Sequence, residues 1–121
     1  MKPSIRTRGT TPERFTAELC FITELSNSPD DEDLSVALVR VAPGVTTRWH
    51  LVTGSAERYV ILSGEGVVEI GDLPPHKLLP SDVAIIPPRC RQRITNSGPA
   101  DLVFLALCTP RYRPDSYVDI E

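Results

Sequence analysis

The sequence predicts an all-β barrel or sandwich, and three observations carry that expectation. Short apolar, β-branched segments recur along the chain, each closed by a Gly, Pro, Asn or Asp turn. Several alternate with period two, as residues 89–95 (RCRQRIT) do, which is the pattern of a half-buried strand. Twelve prolines stand in 121 residues, and proline removes an amide donor and clashes inside a helix, so long helices are disfavoured.

Residues 1–12 are basic and polar, end in Gly9-Thr10-Thr11-Pro12, and read as an arm or edge segment. Residues 15–25 (FTAELCFITEL) fit two periods: Phe15, Leu19 and Ile22 suit a helix, whereas Cys20-Phe21-Ile22-Thr23 suits a strand. The strand-like chain downstream favours one or two strands here. Residues 26–33 (SNSPDDED) read as a solvated acidic loop. Strands are expected over residues 34–41, 46–52, 57–62, 67–70, 77–79, 83–86, 89–95 and 102–108. Turns at Pro43-Gly44, Thr53-Gly54-Ser55, Gly64-Glu65-Gly66, Gly71-Asp72, Pro87-Pro88 and Asn96-Ser97-Gly98-Pro99 separate them. Pro114 opens one expected helical turn near the end, proline being suited to an early helix position. The expected organisation is one domain over residues 1–121. Its barrel core spans about 34–108, with an N-terminal arm and strands at 1–33 and a C-terminal tail at 109–121.

Totals narrow the function classes. A length of 121 residues supports one hydrophobic core and not two. A hydrophobic fraction of 40% with 24% charged residues is that of an ordinary soluble protein. A net charge of −3 provides no field for nucleic acid or anionic lipid, and a 6% aromatic content provides few stacking surfaces for bases. No apolar run approaches the roughly 20 residues of a membrane helix. Cys20, Cys90 and Cys108 are odd in number, widely spaced and without a CxxC pair, and the first residues (MKPSIRTRGT) are polar. A reducing, cytoplasmic setting is the expectation.

The stretch from Gly44 to Gly66 carries the clearest pattern. Gly44 is followed by five residues and then His50; Val52 stands two further on, Glu57 after four more residues, and Gly64 after six. A second pattern runs Ser81, five residues, Pro87, Arg89, two residues, Gln92, three residues, Asn96. These two patterns resemble the paired motifs of the cupins, small double-stranded β-helix (jelly-roll) barrels, over about residues 34–108. The family's first motif has glycine, His-x-His, glutamate and glycine at these spacings, and Val52 replaces the second histidine. In the second motif Ser81 and Arg89 replace glycines, Gln92 replaces a histidine, and Pro87 and Asn96 are in place.

The resemblance implies a metal site of His50, Glu57 and Gln92, reduced from three histidines and a glutamate. Imidazole, carboxylate and amide oxygen are all ligands that a divalent Zn, Ni, Fe or Mn accepts. The alternative for His50 and Glu57 is a buried hydrogen-bonded pair that fixes the barrel interior. Strand alternation places Arg48 inward with His50, Tyr59 with Glu57, and Cys90 with Gln92, making these three the expected substrate pocket. Cys90 serves there either as a thiolate ligand or as a small hydrophobe. Trp49 alternates away from His50, and His76 sits in a Pro-rich, solvent-exposed turn.

Two functions follow. One is an enzyme in which His50 and Glu57 are catalytic, converting a small oxygenated molecule by isomerisation, oxygenation or lyase chemistry. The other is a non-catalytic small-ligand barrel without metal. A homodimer is also expected, because residues 59–62 and 102–107 carry more apolar side chains than one inner face needs.

Overall fold

The computed structural model describes residues 1–121 and contains eleven strands in two antiparallel sheets. The six-stranded sheet runs, edge to edge, β1 (Arg14–Phe15), β2 (Phe21–Ser28), β3 (Asp31–Val41), β10 (Leu102–Thr109), β5 (Ala56–Ser63) and β8 (Val83–Ile86). The five-stranded sheet runs β11 (Tyr117–Asp119), β4 (His50–Val52), β9 (Gln92–Asn96), β6 (Gly66–Ile70) and β7 (His76–Leu78). From β3 onward the chain winds back and forth between the sheets, which is the double-stranded β-helix that the sequence predicts.

Alternation fills the space between the sheets. Leu102, Phe104, Ala106 and Cys108 of β10 point inward, as do Val39 and Val41 of β3 and Tyr59 and Ile61 of β5. With Ile94, Ile86, Val68 and Ile70 they form one continuous core. Asn96 closes the second motif. Its side-chain amide donates to the Val41 and Ala100 carbonyls, both at 2.8 Å, and its oxygen accepts the Gly98 amide. Gly64 has φ +79°, and a Cβ there would lie 2.5 Å from the Asp101 carbonyl oxygen, so both backbone and space require glycine.

The structure corrects four boundaries. Residues 26–33 are no loop: β2 and β3 run through them and leave only a tight turn at Pro29-Asp30. The expected strand over 46–52 shrinks to β4, because the Arg48 amide bonds to the Glu18 carbonyl instead of to β9. The expected strand over 89–95 begins only at Gln92. Arg89 has φ +64° and the Cys90 amide turns back to the Pro87 carbonyl. The C-terminal segment makes its expected turn, a 3-10 turn over Pro114–Ser116, but then adds β11 beside β4.

Candidate functional site

The barrel is packed at one end and hollow at the other, and side-chain size explains why. Inward positions toward one end of β3 and β10 hold Val39, Val41, Leu102 and Phe104; toward the other end they hold Ser35, Ala37, Ala106 and Cys108. Cross-strand neighbours Ala37 and Ala106 are too small to meet across the barrel, and a cavity of about 210 Å³ remains. Thirteen of its 21 lining residues are apolar or aromatic, Tyr59, Tyr112 and Tyr117 among them, and His50, Glu57, Glu18 and Glu24 interrupt that wall. That is the usual composition of a small-molecule site, at a size below that of drug-sized pockets.

Glu57 enters from β5, opposite Cys108 on one side and Ile86 on the other. The residue lines the cavity, yet its Oε1 is sealed from solvent and has no hydrogen-bond partner. Burial pushes its carboxyl up to about 7, against a weaker downward pull from the Gln92 amide and with a small upward push from Glu18. A carboxyl raised this far keeps its proton more readily than an exposed one and suits acid–base work near neutral pH.

His50 opens β4 and is 5% exposed. Its Nδ1 lies 2.8 Å from the Arg48 carbonyl oxygen. A carbonyl only accepts, so Nδ1 carries a proton, and in the neutral ring Nε2 keeps its lone pair. The ring stacks on Tyr117, whose hydroxyl is buried and also without a partner.

Gln92 sits on β9 directly across from His50 and is 1% exposed. Its side-chain oxygen accepts the Tyr59 hydroxyl, so Gln92 props Tyr59 from behind and does not itself line the cavity. Arg48 and Cys90, both expected inward, lie outside. Each precedes the first residue of its strand, where alternation does not hold. Arg48 turns out to Asp119, its Nε donating to Oδ2 at 2.8 Å. Cys90 packs under the Gly71 turn, against the core but away from the cavity. Trp49 faces outward as expected, with the Arg91 and Arg93 guanidinium groups 4.8 and 4.3 Å from its ring centroid. His76 is exposed.

Five lining groups were not anticipated: Arg14, Glu18 and Glu24 from the N-terminal segment, and Tyr112 and Tyr117 from the C-terminal one. For Glu24 a signal existed. Once residues 15–25 are a strand, Cys20, Ile22 and Glu24 share one face. Tyr117 carried no such signal, because the short β11 follows a turn.

The divalent metal that the motif resemblance implies can be tested on the donors present. Val52 contributes only a buried apolar side chain where the second histidine would stand. The Gln92 oxygen is occupied by Tyr59, and desolvation holds the Cys20 thiol up to about 12 and that of Cys108 higher still. No three His, Cys, Asp or Glu side chains come together with ligand geometry. His50 and Glu57 are left as a pair, one donor short of the three protein ligands of a catalytic zinc site. These residues do not fit a transition metal.

Comparison with known proteins agrees with the fold. The cupin domain model matches residues 37–108, most of the chain. The chain belongs to the cupin family. No curated protein matches it. Among solved structures, this cupin is similar to a conserved double-stranded β-helix protein of Klebsiella pneumoniae (TM-score 0.74, 20% identity, 89% of this chain and 90% of that one). It is likewise similar to the nucleoside dehydratase Pac13 (TM-score 0.82, 17% identity, 99% and 92%), a Streptomyces protein also solved with uridine. A third is the oxalate decarboxylase of Lactobacillus farciminis in complex with formate (TM-score 0.77, 22% identity), where this cupin spans 91% of its own length but 33% of the other chain. Identities this low show a shared fold. No helix of the chain is long and apolar enough to cross a membrane.

Proposed function

We propose that this cupin binds a small oxygenated organic molecule in the hollow end of its barrel and converts it by acid–base chemistry of Glu57 and His50, without a metal. The observation that supports this most is the unpaired, water-sealed Oε1 of Glu57 in a cavity it shares with His50. A buried carboxyl oxygen left without a partner costs roughly 1–3 kcal/mol, a cost that a bound ligand hydroxyl would remove. The pair suits a lyase-type elimination or an isomerisation. The neutral Nε2 of His50 takes a proton from carbon, and protonated Glu57 delivers one to the oxygen that leaves or accepts charge. In an elimination the C–H and C–O bonds break, a double bond forms and water departs, so atoms and charge balance. Such a step is in keeping with the dehydratase among the structural neighbours.

The second reading, a binding barrel without turnover, is favoured by the apolar majority of the lining. One experiment separates the two. A metabolite mixture is incubated with the metal-free protein, and retained and altered compounds are identified by mass spectrometry. Depletion of a compound by the wild type, with retention but no depletion by Glu57→Gln, supports the enzyme. Retention without depletion by both supports the binder. No retention by either rejects the cavity as a site.

We further propose a homodimer through the outer face of the six-stranded sheet. Leu38, Leu105, Val60 and Val83 stand directly opposite one another across four strands on that face. Val83 and Ile85 at its edge are 52% and 64% exposed in the single chain. Three free cysteines and the absence of a disulfide suit the reducing cytoplasm.

A further inference from the structure

The charge on the cavity wall bears on which oxygenated molecules enter. Three carboxyl groups line it, Glu18, Glu24 and Glu57, against one guanidinium, Arg14, on the exposed strand β1. None of the nine ion pairs in the protein involves any of these three acids. Burial raises the proton affinity of Cys20, Glu57, Tyr59, Cys108, Tyr112 and Tyr117, and Glu18 adds a smaller upward push to each. An entering carboxylate would meet the same opposition, inside an apolar wall that cannot solvate it.

The groups that remain free have a complementary character. Glu57 Oε1 and the Tyr117 hydroxyl are both buried, both unpaired and both on this wall. A protonated carboxyl and a phenol each donate one hydrogen bond and accept others, which is the pattern of an alcohol's own hydroxyl. An ammonium group, in contrast to a carboxylate, would be attracted by the acidic wall.

Building on the reading above of the cavity as the ligand site, we infer that its ligand is a hydroxyl-rich molecule without an anionic group, held by Glu57 and Tyr117, and that Glu18 and Glu24 exclude carboxylates. The N-terminal segment then sets selectivity, and the C-terminal strand supplies a ligand contact.

The test uses the full chain, isotope-labelled, with pentose and hexose sugars, their aldonates and their amino sugars as probes. Binding is read from shifts of the His50 and Ile94 resonances. The expected result is saturable binding of at least one neutral sugar, with its aldonate at least about tenfold weaker and its amino sugar no weaker than the sugar. The Glu18→Gln/Glu24→Gln protein should gain about tenfold for the aldonate relative to the neutral sugar. An aldonate that binds the wild type as well as the sugar, or an amino sugar as weak as the aldonate, overturns the inference and leaves the cavity reading standing. A folded double variant without the aldonate gain also overturns it. Silence from all three classes removes the cavity reading itself. If the double variant does not fold, the wild-type ranking decides alone.

Discussion

The ring of Tyr117 lies over the ring of His50, centroids 5.2 Å apart and planes 26° apart. The contact joins the C-terminal strand to the first residue of β4, and Asp119 continues the seam by pairing with His50 in the ladder and with Arg48 through its side chain. The histidine is thus held between a backbone carbonyl at Nδ1 and an aromatic face. Removing only the Tyr117 hydroxyl should leave this stack intact and delete a buried unpaired group. Tyr117→Phe is expected to be as stable as the wild type or more so, by up to about 1 kcal/mol, and to weaken ligand binding. Tyr117→Ala should open the ring to water and cost about 3 kcal/mol or less, since the residue is only half-buried. Urea melts and the His50 ring resonances check both; a Tyr117→Phe protein with unchanged affinity would remove the hydroxyl from the site.

Glu57 makes stability depend on pH in a definite direction. Its folded value of about 7 lies above the ordinary 4.5, so between those values the folded state holds more protons than the unfolded one. The neutral carboxyl is the form the fold tolerates. Stability should therefore fall as pH rises from 4.5 through 7 and level off above, by about 3 kcal/mol for this group alone. Glu57→Gln, always neutral, should flatten that slope. Denaturant melts at pH 5 and pH 8 measure it, and an equal slope in the variant would show that the carboxyl is charged in the folded protein throughout.

Much of the barrel was legible because its signals are local. Gly64 needs its positive φ, Asn96 ties a turn, and alternation on β5 and β10 sorts inside from outside. Alternation fails at Arg48 and Cys90, each of which lies two places before the first residue of its strand. The site was legible on the motif strands and not beyond them. His50, Glu57 and Tyr59 do line the cavity, whereas Glu18, Tyr112 and Tyr117 reach it through long-range pairing with Arg48, Ser35 and Val52. Such contacts leave no periodic trace near the residues that make them. The acidic run at residues 30–33 misled in the other direction. Its charges face outward from a strand and edge turn, as Glu32 shows by pairing with Arg111 and Arg113.

Dimerisation should respond to the edge of the six-stranded sheet. Ile85 is exposed in the single chain, so Ile85→Asp is expected to cost the fold less than about 0.5 kcal/mol. In a dimer through this face it would place a charge in an apolar contact, and the variant should sediment as a 13.3 kDa monomer where the wild type sediments at twice that mass. A monomeric wild type would leave the apolar row Leu38–Leu105–Val60–Val83 as surface.

The donor shortage at the motif strands makes one more prediction, and it can be run in both directions. Val52 is buried and lines the cavity on the same strand as His50, while Gln92 sits across from His50 in the ladder. Placing histidine at both positions would supply, with His50 and Glu57, the four ligands that the family motif has at these spacings. Val52→His/Gln92→His is expected to retain about one Zn or Ni per chain after dialysis, measured by elemental analysis, and to gain stability with metal as any ligand of the folded state confers it. The wild type should retain less than about a tenth as much, because two donors give up the chelation that a third and fourth provide. The Gln92 change also frees Tyr59 from its acceptor, so the metal-free double variant should be less stable than the wild type by about 1–3 kcal/mol. Stoichiometric metal in the wild type, lost on Glu57→Gln, would mean that the Gln92 oxygen leaves Tyr59 for the ion, and the metal-independent chemistry proposed for Glu57 and His50 would then fall.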